Sequence, residues 1–174
     1  PAGRHPGIPE PRLLYRDEPA PWLNARGIDL ADPLEVARLL PKLALPAGAA
    51  VRAAPIVGGQ WWQGEAQAVT SPAHFETVVG HVVEAAPDAI ERALALAAAA
   101  QPGWDAAGAE VRAGCLERLA GLLEQHCETL MGLIISEAGR TVDDALSEVR
   151  EAVDFCRYYA CRGRLGFATP LPLP

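Results

Sequence analysis

The sequence predicts an α/β chain that is mostly helical and carries short β-hairpins. Half of its 174 residues are hydrophobic but only 6% are aromatic, and Ala and Leu fill much of that half, which suits packed helices better than a β-sandwich. Apolar residues recur at helical spacing through the second half. Between residues 54 and 83, short β-prone runs alternate with glycine pairs and a Ser-Pro step. A chain of this length is sufficient for one buried core.

From Pro1 to Pro55 prolines recur, removing backbone donors and fixing φ, so residues 1–53 read as a linker or arm. Inside the arm, Asp32 suits an N-cap and Pro33 the first helical position. The apolar spacing from Leu34 to Leu40 then predicts one short helix, ended by Pro41. Ile56-Val57, Trp61-Trp62, Ala68-Val69 and Val78-Val79 follow as strand segments. Gly58-Gly59 suits a tight primed turn pairing Ile56 with Trp61, and Gly80 marks a bulge or a close backbone approach.

Four helical segments come next. Pro87 and Asp88 open the first, Ile90, Leu94 and Ala97 share one face, and Pro102-Gly103 closes it. An apolar stripe runs through Val111, Cys115, Leu119 and Leu122, and then through Leu130, Leu133, Ile134 and Ala138 to Gly139, a left-handed cap. The last helix starts at Thr141 as N-cap, with Asp143 and Asp144 against the positive end of its dipole, and is expected to reach about Cys161. Val142, Ala145, Leu146, Val149, Ala152, Val153 and Cys156 form its apolar face. Arg150 and Asp154 are an i,i+4 pair worth about 0.3 kcal/mol.

A formal net charge of −7 argues against a nucleic-acid backbone or an anionic membrane as partner. The basic cluster Arg157, Arg162 and Arg164 sits where cations oppose the negative end of a helix dipole. Cys115, Cys127, Cys156 and Cys161 make no disulfide framework and fit a reducing, cytoplasmic compartment. The scattered histidines argue against a metal site. No apolar run is long enough for a transmembrane span. Glycine-rich phosphate turns and a G-x-S-x-G elbow are missing, so no residue is assigned as catalytic or cofactor-binding. Glu148 and Glu151, three apart, could serve acid–base work or form a solvated stripe, and Phe155 lies on the same side as Glu151.

Glu137-Ala138-Gly139-Arg140-Thr141, then Asp144-Ala145 and the run Glu148 to Ala160 (EVREAVDFCRYYA), resemble the aldehyde dehydrogenase superfamily. The resemblance covers residues 54–168, with Val78-Val79-Gly80-His81-Val82 as the family's V-[IV]-G-x-V strand and Arg140 in place of its commoner lysine. Within the superfamily, Pro9-Glu10-Pro11, Leu14-Tyr15 and Asn24-Ala25-Arg26-Gly27-Ile28-Asp29-Leu30 look like the linker before the dehydrogenase part of bifunctional proline utilization A enzymes. A monofunctional enzyme is not expected to carry that linker.

This resemblance implies oxidation of L-glutamate γ-semialdehyde by NAD through a cysteine-bound thiohemiacetal and thioester. It also implies FAD in an upstream proline dehydrogenase domain of a bifunctional parent, and a homo-oligomeric parent. The chain is then an inactive fragment with the Rossmann core truncated: an arm, the N-terminal segment of the dehydrogenase domain at 54–168 and a truncated loop at 169–174. Its partners are the remainder of that domain and a small-molecule substrate. Alignment through the D-F-x-R-Y-Y-A pattern implies substrate binding at Glu151, with Phe155 beside it. The rival expectation is a free-standing helical protein-interaction module. A fragment should show wide apolar faces on its last two helices, which a module would cover.

Overall fold

A computed structural model describes residues 7–17, 21–44 and 51–168. The loop expected at 169–174 and the arm's residues 1–6, 18–20 and 45–50 lie outside the described residues. The elements run α1 (Pro33–Leu43), β1 (Val51–Ala53), β2 (Ile56–Val57), β3 (Gln60–Trp61), β4 (Ala66–Thr70), β5 (Val78–Val83), α2 (Pro87–Ala106), α3 (Gly108–Gln125), α4 (Cys127–Ala138) and α5 (Val142–Gly166). Among the described residues no helix is long and apolar enough to cross a membrane.

The hairpin forms as its turn requires: Gly58 and Gly59 have φ of 60° and 78°, and Ile56 pairs with Trp61. Strands β1, β5 and β4 make a separate sheet in that order, β1 parallel and β4 antiparallel to β5. Gly80 answers to both of its expected roles. The register jumps between Val69–Gly80 and Thr70–Val78, leaving Val79 as an extra residue, and a Cβ at Gly80 would collide with the Val51 carbonyl oxygen. Strand β1 itself falls across the end of the expected arm.

Both proline stops are overturned. Helix α1 passes Pro41 to end at Leu43, and α2 passes Pro102 to end at Ala106. A proline inside a helix removes one hydrogen bond and frees the carbonyl four residues earlier. Those carbonyls belong to Ala37 and Ala98, and both residues are exposed, so the freed acceptors are not sealed in the core. Beyond Pro41, Leu43 also gains packing against the core.

The core is organised along α5. Leu39 of α1, Met131 of α4 and Ala145, Leu146 and Val149 of α5 form one cluster, and Ala25 of the arm, Ala120 of α3 and Val153 of α5 form a second. The face of α5 is as expected, but the helix continues to Gly166. On α3 the expected stripe is out of phase: Val111, Leu119 and Leu122 are exposed, and Ala113 and Ala120 are the buried contacts. Small side chains let α3 and α5 approach closely along their length, and that close fit sets the face of α3 that turns inward.

The exposed apolar residues are also distributed differently from the expectation. They lie on α2 (Ile90, Leu94, Trp104), on α3, and on α5 (Phe155, Tyr158, Tyr159, Leu165), whereas the large apolar residues of α4 are covered.

The basic cluster is structural through ion pairs rather than through the dipole alone. Arg164 donates to Glu110 at 2.7 and 2.9 Å and to Glu117 at 2.5 and 2.8 Å, clasping α3 to the end of α5. Those hydrogen bonds hold both carboxyls below the usual glutamate value of 4.5, against a smaller opposing effect of desolvation.

Two outcomes follow from this packing. Met131 is fully buried, so Met131→Ala is expected to cost roughly 2–5 kcal/mol in denaturant unfolding of the chain, and a loss under about 1 kcal/mol would contradict its core position. Because the folded pKa values of Glu110 and Glu117 are depressed, the clasp stabilises above pH 4.5 and its contribution disappears as pH falls through the folded values. The melting-temperature gap between wild type and Arg164→Ala should therefore be present at neutral pH and close on acidification; a gap independent of pH would contradict it.

Candidate functional site

The site begins with the cap of α5. The Thr141 hydroxyl accepts the Asp144 N–H at 3.2 Å and donates to the Asp144 carboxylate at 2.8 Å, fixing where the helix starts. From that start Ala145, Leu146, Val149 and Val153 point into the core. Ser147, Glu151, Phe155 and Tyr158, at i, i+4, i+8 and i+11, then share another face.

The arm lies over this second face. Tyr15 and Trp22 stack with centroids 4.5 Å apart and planes at 7°. Trp22 meets Tyr158 edge-on at 6.3 Å, Tyr158 meets Tyr159 edge-on at 5.2 Å, and Tyr159 stacks on Phe155 at 6.0 Å. Between arm and helix runs an open groove of about 470 Å³ lined by Tyr15 and Trp22 of the arm and by Ser147, Arg150, Glu151, Asp154, Phe155 and Tyr158 of α5. Glu151 and Phe155, the two residues proposed from the sequence, are thus brought to one cavity and both remain solvent-accessible. An acceptor beside several π faces suits a small cation such as an ammonium group.

Polar contacts to main-chain atoms hold the arm in place. Asp154 Oδ1 accepts the Ala25 N–H at 2.5 Å, and Arg157 donates to the Leu23 carbonyl at 3.1 Å. Arg157 also makes two hydrogen bonds to Glu124 of α3, at 3.2 and 2.6 Å, and Glu124 in turn accepts the Arg26 N–H at 2.9 Å. The expected Arg150–Asp154 pair does not form among the described residues, since Asp154 is taken up by the arm backbone. The Arg150 guanidinium packs over Gly27 instead, where an added Cβ would lie 3.8 Å from Cζ, and its buried Nε has no partner.

Glu148 falls outside the groove and pairs with Arg140 at 3.4 Å, both about half exposed, in keeping with the solvated reading. A larger cavity of about 640 Å³ opens on the other side of Arg150, against α1 and α4. Its carboxylates are committed, Glu128 to Lys42 at 2.9 Å, Glu35 to the Asp29 N–H at 2.8 Å and Glu124 to Arg157, which leaves a lining with Arg26, Arg38 and Arg150 and no open carboxylate for a cation. Size alone therefore does not make it the better candidate. Tyr15, Trp22, Asp154 and Arg157 were not identified from sequence as parts of a site. One signal was present, a pair of large aromatics in a proline-rich stretch ahead of the arm's one predicted helix.

The family model of the aldehyde dehydrogenases matches residues 61–166, from the hairpin to the end of α5. The chain belongs to the aldehyde dehydrogenase family. It is 40% identical over 163 residues to the bifunctional protein PutA of Klebsiella aerogenes, covering 94% of this chain and 12% of that protein. A crystal structure of proline utilization A from Bdellovibrio bacteriovorus, inactivated by N-propargylglycine, superposes with a TM-score of 0.81 at 26% identity, covering 95% of this chain and 17% of that one. A 1-pyrroline-5-carboxylate dehydrogenase from Thermus with bound NAD gives a TM-score of 0.76 at 26% identity over 88% of this chain and 31% of that one. That coverage exceeds what residues 54–168 alone span, so the arm is not confined to relatives named as bifunctional.

Proposed function

We propose that this chain is part of an NAD-dependent aldehyde dehydrogenase that oxidises L-glutamate γ-semialdehyde to glutamate in proline catabolism, and that its own contribution is one side of the substrate pocket. The observation that carries this is the placement of Glu151 and Phe155 in one aromatic-walled groove, on the helix with the family's D-F-x-R-Y-Y-A pattern. In that pocket the Glu151 carboxylate faces the substrate's ammonium group, and Phe155 lies along its aliphatic carbons.

Domain by domain, the proposal reads residues 1–53 as arm and 54–168 as the N-terminal segment of the dehydrogenase domain. Hydride acceptance belongs to NAD in the parent protein, with FAD in an upstream proline dehydrogenase domain if that parent is bifunctional; no residue of this chain is assigned to either. Nor is a nucleophile assigned here. Burial, reinforced by the neighbouring Glu128 and Glu124 charges, pushes the Cys127 thiol up, which keeps it protonated and inert. Ile90, Leu94 and Trp104 on α2 present the surface on which the remainder of the dehydrogenase domain packs, in a cytoplasmic homo-oligomer.

In the full-length enzyme, Glu151→Gln is expected to raise KM for the semialdehyde about 5- to 30-fold while kcat changes less than about twofold, the mark of a lost ground-state ion pair. An unchanged KM would remove Glu151 from the pocket. The 174-residue chain alone is expected to form no NADH from the semialdehyde and to show no saturable NAD binding by calorimetry. Saturable binding there would overturn the division of labour, and a discrete protein partner captured by the α2 face with no dehydrogenase downstream in the gene would favour the interaction module.

A further inference from the structure

The groove over Glu151 has two walls of different origin. Phe155 and Tyr158 belong to α5 and are in place whenever the helix is folded. The opposite wall, Tyr15 and Trp22, exists only while the arm is docked. We infer that the arm is a specificity element of this site: Trp22 closes the groove around the substrate's ammonium group, and Asp154 and Arg157 are positioning residues that hold Trp22 there. This rests on the reading of Glu151 as the ammonium acceptor.

The physical need is clear from the exposure of Glu151. An ion pair in open water is worth about fivefold in affinity at most. Rings on both sides displace water from the pair and offer the ammonium π faces, which strengthens the pair and sharpens selection for a cationic substrate. The grip is suited to this task. Both α5 contacts go to backbone atoms, the Leu23 carbonyl and the Ala25 N–H, immediately after Trp22, so the indole is left free to face the groove. The arm is also bonded to itself: Asn24 donates to the Pro11 carbonyl at 2.5 Å, and the Trp22 main-chain N–H approaches the Tyr15 carbonyl at 3.4 Å beside the ring stack. A preorganised wall loses little freedom when substrate enters.

The test is made in the full-length enzyme, with the semialdehyde and with propionaldehyde, which has no ammonium group. Trp22→Ala is expected to raise KM for the semialdehyde about 5- to 10-fold, to leave kcat within about twofold, and to leave KM for propionaldehyde unchanged. Asp154→Ala should shift the semialdehyde KM in the same direction and speed hydrogen exchange at the Ala25 amide, and Asp154→Asn, which retains an acceptor for that amide, should restore both. If Trp22→Ala does not fold, Trp22→Leu keeps apolar bulk without the π face and should still raise the semialdehyde KM selectively. Unchanged semialdehyde KM in the tryptophan variant, with Glu151→Gln impaired, overturns the arm's role and leaves the Glu151 reading standing. An equal loss for both aldehydes marks the arm as structural and overturns it as well. An unimpaired Glu151→Gln overturns both readings together.

Discussion

Burial of one stripe of α5, from Ala145 through Val149 and Val153 to Ala160, is the constraint on which the other contacts depend. The helix has 25 residues, about 37 Å at 1.5 Å per residue, and along it four partners are served in succession. Its first half meets α1 and α4 at Leu39 and Met131, its middle meets the arm and α3 at Ala25 and Ala120, and its end is clasped to α3 by Arg164. With one face committed to the core, the phase of the helix is set. That phase puts Glu151 and Phe155 on the face beside the arm.

The arm obeys a different logic from the helices. Ala25 is buried and Ile28 and Leu30 pack against the core, but the stretch around Trp22 is seated by side-chain carboxylate and guanidinium groups bonded to its main chain. Of these, the Ala25–Asp154 bond is partly buried and contributes about 1.5–3 kcal/mol, while the two exposed bonds, to Glu124 and from Arg157, add less. Arg157 is the hinge of this arrangement, since it binds the arm and α3 together; its ion pair with Glu124 is mostly covered, and losing either partner would strand a charge.

Much of the local structure was legible because it rests on residues with few alternatives. Gly58-Gly59 make the turn of the hairpin, Gly139 ends α4 with φ of 64°, and Thr141 caps α5. The apolar face of α5 was legible for the same reason, being long and strictly periodic. What was not legible depends on context beyond the local chain. Pro41 and Pro102 stop a helix only where the freed carbonyl cannot reach water. The inward face of α3 follows small residues that admit a close neighbour, and a hydrophobicity pattern ranks Leu119 above Ala120. Strand β1 is too short to announce itself and pairs with β5 at long range. In the site, Glu151 and Phe155 came from the family pattern, whereas Trp22 and its supports are joined to them only through space.

That last separation bears on the order in which the molecule is made. The Ala25 N–H and its acceptor Asp154 are 129 residues apart, so during synthesis the arm leaves the ribosome long before its seat on α5 has been translated. Its aromatic pair must wait in solvent, shielded only by the stack of Tyr15 on Trp22. Contacts of such high sequence separation carry a large loop-closure cost, which must be met before they stabilise anything. The groove therefore cannot be assembled until α5 has been translated, however early the arm is made.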